Sequence, residues 1–401
     1  MKSWSRPDVP SLPGTGTAPR LLNTATGMLA DGPIGTADLY VCGITPYDAT
    51  HIGHAATYLA YDTLIRAWLD AGLTVRFVQN VTDVDDPLLE RAASMGVDWK
   101  QLAGGQIDLF RGDMQALSMI PPDDFVAVTE VIEPVAEAVQ LLVDRGVAYR
   151  LGSEIYFDSA AAATASPWHL GQESRLGRDE MLVLSAERGG DPERAGKRDP
   201  LDPVLWWGAR EGEPSWSSVL GRGRPGWHIE CSVIAQRHLD LPLAVNGGGN
   251  DLIFPHHEFT AGHTAALTGT DHARVYAHAG LVSYQGAKMS KSLGNLVFVS
   301  RLLEEGTDPR AIRLAILAHH YRADWEWTDA VLATATERLA AWAARATIAT
   351  AGDSSLLAEL RAALSADLDT PAALAAVDRA EYLTSGDLDA VQALLGIDLR
   401  S

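Results

Sequence analysis

The chain of 401 residues is 47% hydrophobic and 7% aromatic, sets 52 acidic against 32 basic residues for a formal net charge of −20, and holds two cysteines. Its length allows two or three domains. It shows no apolar run near the roughly 18 residues of a membrane span, too few cysteines for a disulfide framework, and a charge balance that opposes neutralising a long phosphate backbone. The expectation is a soluble, cytoplasmic, monomeric protein that handles small metabolites, with no membrane partner.

Residues 1–36 are rich in Pro, Gly and Thr and lack an apolar signal core, so they read as a leader that is either poorly ordered or draped over the surface. From Ala37 to Val41 an apolar, β-prone stretch runs into Cys42-Gly43. Thr45, Pro46 and Asp48 break it before a helix expected from about His54 to Ala71, with Gly72 as its stop. Thr74 to Val78 is a second short strand, followed by Asn80-Val81-Thr82-Asp83-Val84-Asp85-Asp86-Pro87 and another amphipathic segment. Strand, crossover helix, strand predicts a parallel sheet with its ligand at the carboxyl ends of the strands, where these loops lie.

Residues 111–220 separate the halves of that sheet and read as an inserted subdomain, in which Asp191 to Asp202 is charged and Pro-bearing like an exposed edge. The sheet resumes near Leu241, where Leu-Pro-Leu-Ala-Val-Asn leads into Gly247-Gly248-Gly249-Asn250-Asp251 and a helix opened by Pro255. A strand from Arg274 to Val282 then precedes Lys288-Met289-Ser290-Lys291-Ser292. Helical period over Asp329–Ala346, Ser354–Ala366 and Pro371–Thr384 predicts a C-terminal bundle. The expected fold class is α/β: a Rossmann-type parallel sheet split into 37–110 and 221–298, the insertion at 111–220, and a helical region at 299–401.

Three groups of residues carry chemistry. His51 and His54, three apart at a helix start, share one face and suit hydrogen bonds to ATP phosphates, helped by the partial positive charge of the helix N-terminus; a bare His-x-x-His also occurs as caps or surface residues. Gly53 between them lets a nucleotide ring lie against the backbone. Lys288 and Lys291 flank a Ser-bearing turn and suit a pyrophosphate clamp, although the pentapeptide alone is compatible with a solvated loop. Cys42, Cys231 and His256 offer two thiolates and an imidazole, a zinc set with one position open for substrate; the alternative is two buried structural cysteines. A zinc-held substrate thiolate would discriminate against serine, whose hydroxyl is a poor ligand.

Taken together, Tyr40-Val41-Cys42-Gly43, His51 to His54, Asn80 to Asp86, Gly223 to Cys231, Asp251 to Glu258 and Lys288 to Asn295 resemble the cysteinyl-tRNA synthetase family. The resemblance implies a class I synthetase-type catalytic domain, zinc-bound cysteine, Mg2+ with ATP, and a cysteinyl adenylate. It places that adenylate along Cys42, Gly43, Ile44 and Thr45, against Thr57, and at Asn80, Val81 and Thr82, with Trp227, Gly249, Asn250, Asp251 and Val282 completing the pocket. Asp251 suits the substrate ammonium or a ribose hydroxyl, or else caps the next helix. Trp227 covers the aminoacyl part, or else is core.

Several departures argue against tRNA as the second substrate. The chain after the lysine loop suffices for a short bundle but not for an added anticodon-binding domain. Cys42-Gly43-Ile44-Thr45-Pro46-Tyr47 differs from the family's usual turn, and Glu187-Arg188-Gly189-Gly190-Asp191-Pro192 is foreign to it. Both are similar to the mycothiol ligases, a shortened branch that joins L-cysteine to a glucosaminyl-inositol. The Glu187 to Pro192 stretch either lines the sugar site or is only a turn. Thr260 stands where the synthetases carry a zinc-ligating Glu, so His257 and Glu258 stay open as substitutes. The rival readings are a truncated cysteinyl-tRNA synthetase and a non-catalytic synthetase-like binding protein.

Overall fold

The computed structural model describes residues 1–47, 50–289 and 294–400, with Lys288 described by its backbone alone. Five parallel strands form the central sheet, in the spatial order Ala273–Ala279, Leu243–Gly249, Thr36–Ile44, Thr74–Val81, Asp124–Ala127. The chain starts in the middle, builds outward to one edge, and returns to build the other. The strand order therefore reverses between Thr36–Ile44 and Leu243–Gly249, the position at which open α/β sheets bind ligands beyond their carboxyl ends.

Alternation along the first strand assigns its side chains. Leu39 and Val41 pack on one face with the Ile52–Asp70 helix, and Tyr40 and Cys42 pack on the other with the Trp227–His238 helix. Both faces are covered, which explains the nearly continuous apolar run of a parallel strand. Cys42 faces Cys231 for this reason of period. At this point the pairing with Thr74–Val81 shifts register between Val41 and Ile44, and such an irregularity re-aims side chains. Gly43 makes the close approach possible, since a Cβ there would lie 1.6 Å from the carbonyl oxygen of Asn80.

The strand expected from Arg274 to Val282 is two pieces. Ala273–Ala279 belongs to the central sheet, whereas Val282–Tyr284 pairs with Ala287–Lys288 and Trp325–Trp327 in a separate small sheet. The break falls at Gly280, whose N–H donates to the Tyr321 carbonyl at 2.7 Å. In the chain between Asp124–Ala127 and Leu243–Gly249 lie the antiparallel strands Ala148–Leu151, Glu154–Phe157, Val204–Gly208 and Gly223–Pro225, together with the Arg178–Glu187 helix.

The C-terminal helices include Asp329–Ala346, Leu357–Ser365 and Thr370–Arg379, together with Val299–Glu304, Pro309–Leu317 and Ser385–Leu395, which the sequence reading did not mark. They are tied to the Ile52–Asp70 helix through a buried triad, in which Asp62 accepts from Arg66 and Arg313. Arg66 also donates to the carbonyls of Gln392 and Ala393, and Arg313 to that of Leu395. Burial alone would raise the Asp62 carboxyl, but the two guanidinium charges outweigh it and hold the group below its ordinary value.

The leader is tied down. Trp4 is buried against Phe110 and Phe125 and donates from its indole to the Met119 carbonyl at 2.8 Å. Leu21–Asn23 pairs with Met28–Ala30, and Asn23 hydrogen-bonds the backbone of Arg274 and Tyr276.

Candidate active site

The Ile52–Asp70 helix is capped by His51 in extended backbone, and the His51 and His54 rings stack at 3.8 Å between centroids. The expected shared face is therefore a paired imidazole surface at a helix N-terminus. The segment after the lysine loop closes over it, since Ile52 N–H donates to the Val297 carbonyl and Val299 N–H to that of Thr50. Both histidines are half-buried. Lys291 lies outside the described residues, as do Asp48, Ser290, Ser292 and the side chain of Lys288.

The three cysteine and histidine candidates converge. One ligand atom from each of Cys42, Cys231 and His256 falls within 4.8 Å of the others, and all three residues are buried. The thiols are free and stand 3.9 Å apart, and His256 Nε2 lies 3.2 Å from Cys231 Sγ. Burial opposes ionisation of Cys231, yet hydrogen bonding from Cys42 and the nearness of His256 hold its thiol well below the ordinary value. A thiol poised as thiolate beside a second thiol and an imidazole is a donor set suited to a soft divalent cation.

A second layer of histidines backs this group. His256 Nδ1 lies 3.1 Å from His228 Nδ1, and the Trp227 ring stacks on His256 at 4.3 Å. On the other side, His257 Nε2 lies 3.2 Å from Cys42 Sγ. Its Nδ1 meets His278 Nε2 at 2.7 Å, and His278 Nδ1 meets Thr24 Oγ1 at 2.7 Å. Burial pushes His228 and His257 well below the ordinary imidazole value and His278 down to about 3, so all three are neutral. Neutral rings joined end to end fix one another's tautomers, which is how outer partners orient metal ligands. The sequence reading weighed His257 only as a substitute ligand and missed His278 and Thr24.

Glu258 is corrected as a substitute ligand. Its carboxylate accepts from Trp168 Nε1 and from the backbone N–H groups of Gly171, Glu173 and Ser174 at 2.8 to 3.2 Å, which turns it toward the insertion. Thr260, where a fourth ligand was expected to be missing, donates instead to the His228 carbonyl at 3.2 Å.

The residues expected around an adenylate also fall at the strand ends. Asn80 accepts from Gly43 N–H at 2.8 Å and donates to Thr82, which donates to Glu230 at 3.3 Å. Ile44 and Val81 pair across the first two strands, and Thr45 follows directly. Thr57 lies beside Gly249, its hydroxyl 3.7 Å from where a Cβ would stand, and Asp251 reaches back over the same glycine. Asn250 donates to Asp324 at 3.3 Å, and Val282 is buried in the adjoining small sheet. The structure thus gathers Cys42 to Thr45, Thr57, Asn80 to Thr82 and Gly249 to Asp251 at the carboxyl ends of the central strands, with Val282 in the small sheet that follows.

Comparison with known proteins identifies the family and the fold. The model of the family described as tRNA synthetases class I (C) catalytic domain matches residues 32–337. A protein of Clavibacter michiganensis subsp. michiganensis named L-cysteine:1D-myo-inositol 2-amino-2-deoxy-alpha-D-glucopyranoside ligase is 58% identical, over 100% of this chain and 99% of that one. A Thermobispora bispora protein of the same name is 56% identical over 100% of both chains. Among solved structures, Mycobacterium tuberculosis methionyl-tRNA synthetase in complex with methionyl-adenylate superposes with a TM-score of 0.63 at 17% identity, covering 90% of this chain and 88% of that one, a likeness of fold. With a parallel synthetase-type sheet and relatives more than half identical along its whole length, the chain belongs to the L-cysteine:1D-myo-inositol 2-amino-2-deoxy-alpha-D-glucopyranoside ligase family, within the class I synthetase fold.

Proposed function

We infer that the protein ligates L-cysteine to the amine of 1D-myo-inositol 2-amino-2-deoxy-alpha-D-glucopyranoside, the amide-forming step of mycothiol biosynthesis. The reaction uses Mg-ATP, passes through a cysteinyl adenylate, and releases AMP and pyrophosphate. The observation that carries the reading is the convergence of Cys42, Cys231 and His256 at the switch point of the sheet, next to the paired histidines of a helix N-terminus. A thiol-binding set beside a phosphate-binding set is what activation of cysteine requires.

A zinc ion held by Cys42, Cys231 and His256 would supply an anchor for the substrate thiolate and with it the discrimination against serine. The chain's own residues do the rest. Trp227, stacked on His256, borders the aminoacyl portion, and Asp251 partners the substrate ammonium. Gly43, Ile44 and Thr45, with Asn80 to Thr82, Thr57, Gly249, Asn250 and Val282, hold the adenylate by backbone contacts and shape. His51 and His54 stabilise charge on the α- and β-phosphates as the cysteine carboxylate attacks, and Lys288 and Lys291 follow the charge onto departing pyrophosphate. In the second step the sugar amine attacks the activated carbonyl, an amide bond forms and AMP departs. We place this activity in the cytoplasm and assign it to a monomer. No helix among the described residues is long and apolar enough to cross a membrane.

The test is product identity. Purified protein given cysteine, Mg-ATP and the amino sugar should yield the cysteinyl amide and AMP by mass spectrometry, while bulk tRNA in place of the sugar should stay uncharged. Cysteinyl-tRNA as the product would restore the synthetase reading instead.

A further inference from the structure

We propose that Arg188, in the insertion, is a positioning residue for the cysteine half of the site, an inference that rests on the function proposed above. Arg188 follows the Arg178–Glu187 helix and ends it, its N–H donating to the carbonyls of Leu184 and Ser185. The next two residues explain its aim. Gly189 takes φ +83°, and a Cβ on Gly190 would lie 2.7 Å from the Ser185 carbonyl oxygen, so the chain turns back tightly on the helix end. Beyond the turn, Asp191 is held by the Tyr156 hydroxyl at 2.6 Å and Lys197 at 2.8 Å. The Glu187 to Pro192 stretch is therefore fastened to the insertion at one end and presents a guanidinium at the other.

That guanidinium reaches the active-site segment. Arg188 Nη1 donates to the carbonyl of Asp251 at 2.6 Å and to the carbonyl of Phe254. The segment needs an outside support, because its own helical ladder is interrupted. Asn250–Leu252 is a single 3-10 turn, Phe254 adopts extended backbone (φ −141°, ψ 137°), and Pro255 has no N–H to donate. Asp251 lies at one end of this irregular stretch and His256 at the other. One guanidinium nitrogen, Nη1, thus ties the carbonyls on either side of the irregular stretch and sets the distance between the proposed ammonium partner and a cation-binding imidazole, and a lysine, whose Nζ ends one bond short of that nitrogen, reaches them less well.

Loss of an outer-layer partner costs about 10–100-fold in affinity or activity at such sites. Arg188→Met should therefore raise the KM for cysteine by roughly 10–100-fold in pyrophosphate exchange. The KM for ATP should rise much less than the KM for cysteine and the melting temperature should be little changed, since the two carbonyls that Arg188 holds flank the stretch between Asp251 and His256. Arg188→Lys should recover only part of the loss. A variant with wild-type KM for cysteine, or one in which both KM values and the melting temperature shift together, would overturn the inference while leaving the function standing. Wild-type protein without cysteine-dependent exchange would overturn the functional reading and this inference with it.

Discussion

The two halves of the site sit on neighbouring elements yet are held in different ways. Cys42, Cys231, His256 and His257 are buried, and each touches another member of the group or a backing histidine. His51 and His54 are half-buried at the first turn of a helix. Recognising a thiol against a hydroxyl demands donors fixed in place before substrate arrives, and burial with neutral hydrogen-bonded rings provides this. Binding and releasing a polyphosphate demands donors that water and product can reach. Under the proposed function, the contrast teaches that selectivity and turnover rest on separate structural means at neighbouring strand and helix ends.

The sharpest way to break the comparison is Cys231→Ala. Zinc measured by atomic absorption should be lost, and cysteine-dependent exchange should fall to background, while ATP binding by calorimetry persists. Next in size, His54→Asn should lower kcat for exchange by roughly 10²–10³-fold, the range for removing one transition-state hydrogen-bond donor. It should leave zinc content and the KM for cysteine unchanged. Parallel loss of zinc there would show that the halves are not separate.

A smaller effect is expected from the backing chain. His278→Gln should weaken zinc affinity by about 10–100-fold in competition with a chromogenic chelator, because His257 would lose the partner that orients it toward Cys42. Thr24→Val should act in the same direction and less, since it touches only the far end of the chain.

Smallest and broadest is the pH dependence of stability in metal-free protein. Burial pushes His263, His272 and His278 down to about 3 from the ordinary 6.5. Below pH 6.5 the unfolded chain takes up protons that these folded rings refuse, so their contribution is full above that pH and declines toward about 3. Burial pushes Glu173 up to about 8 and Asp113 up to about 7, which works the other way: their contribution is full at low pH and declines as pH rises toward those values. Melting temperatures should therefore be highest in mid-range, with the steepest fall below about pH 4, where the histidines act unopposed. A midpoint still rising as the pH drops from 6 to 4 would contradict the burial of these rings.

What the sequence revealed and what it hid divides along the same physical line. The strands Thr36–Ile44 and Thr74–Val81, the helix after His51 and the glycine-ended strand at Leu243–Gly249 follow from local pattern and punctuation, and so do the motif loops at their ends. The Cys42, Cys231 and His256 cluster was legible because the chain holds only two cysteines, both within the matched motifs, and soft-metal chemistry limits their use. The backing contacts were not legible. Thr24 meets His278 across 254 positions, and Glu258 finds Trp168 across 90. Trp4 was hidden in a leader whose composition suggested looseness, because its partners Phe110, Phe125 and Met119 come from distant elements. The missed Ser385–Leu395 helix did carry a local sign, the Thr384 to Asp387 capping box.

Cysteine-dependent exchange of labelled pyrophosphate into ATP, measured on zinc-loaded and chelator-stripped protein with cysteine and then serine, tests the central assignment most directly. Exchange should appear with cysteine on loaded protein, vanish on stripping, return with zinc, and be absent with serine. Exchange that survives removal of the metal, or that accepts serine as readily as cysteine, would contradict a thiol-selecting half built on Cys42, Cys231 and His256.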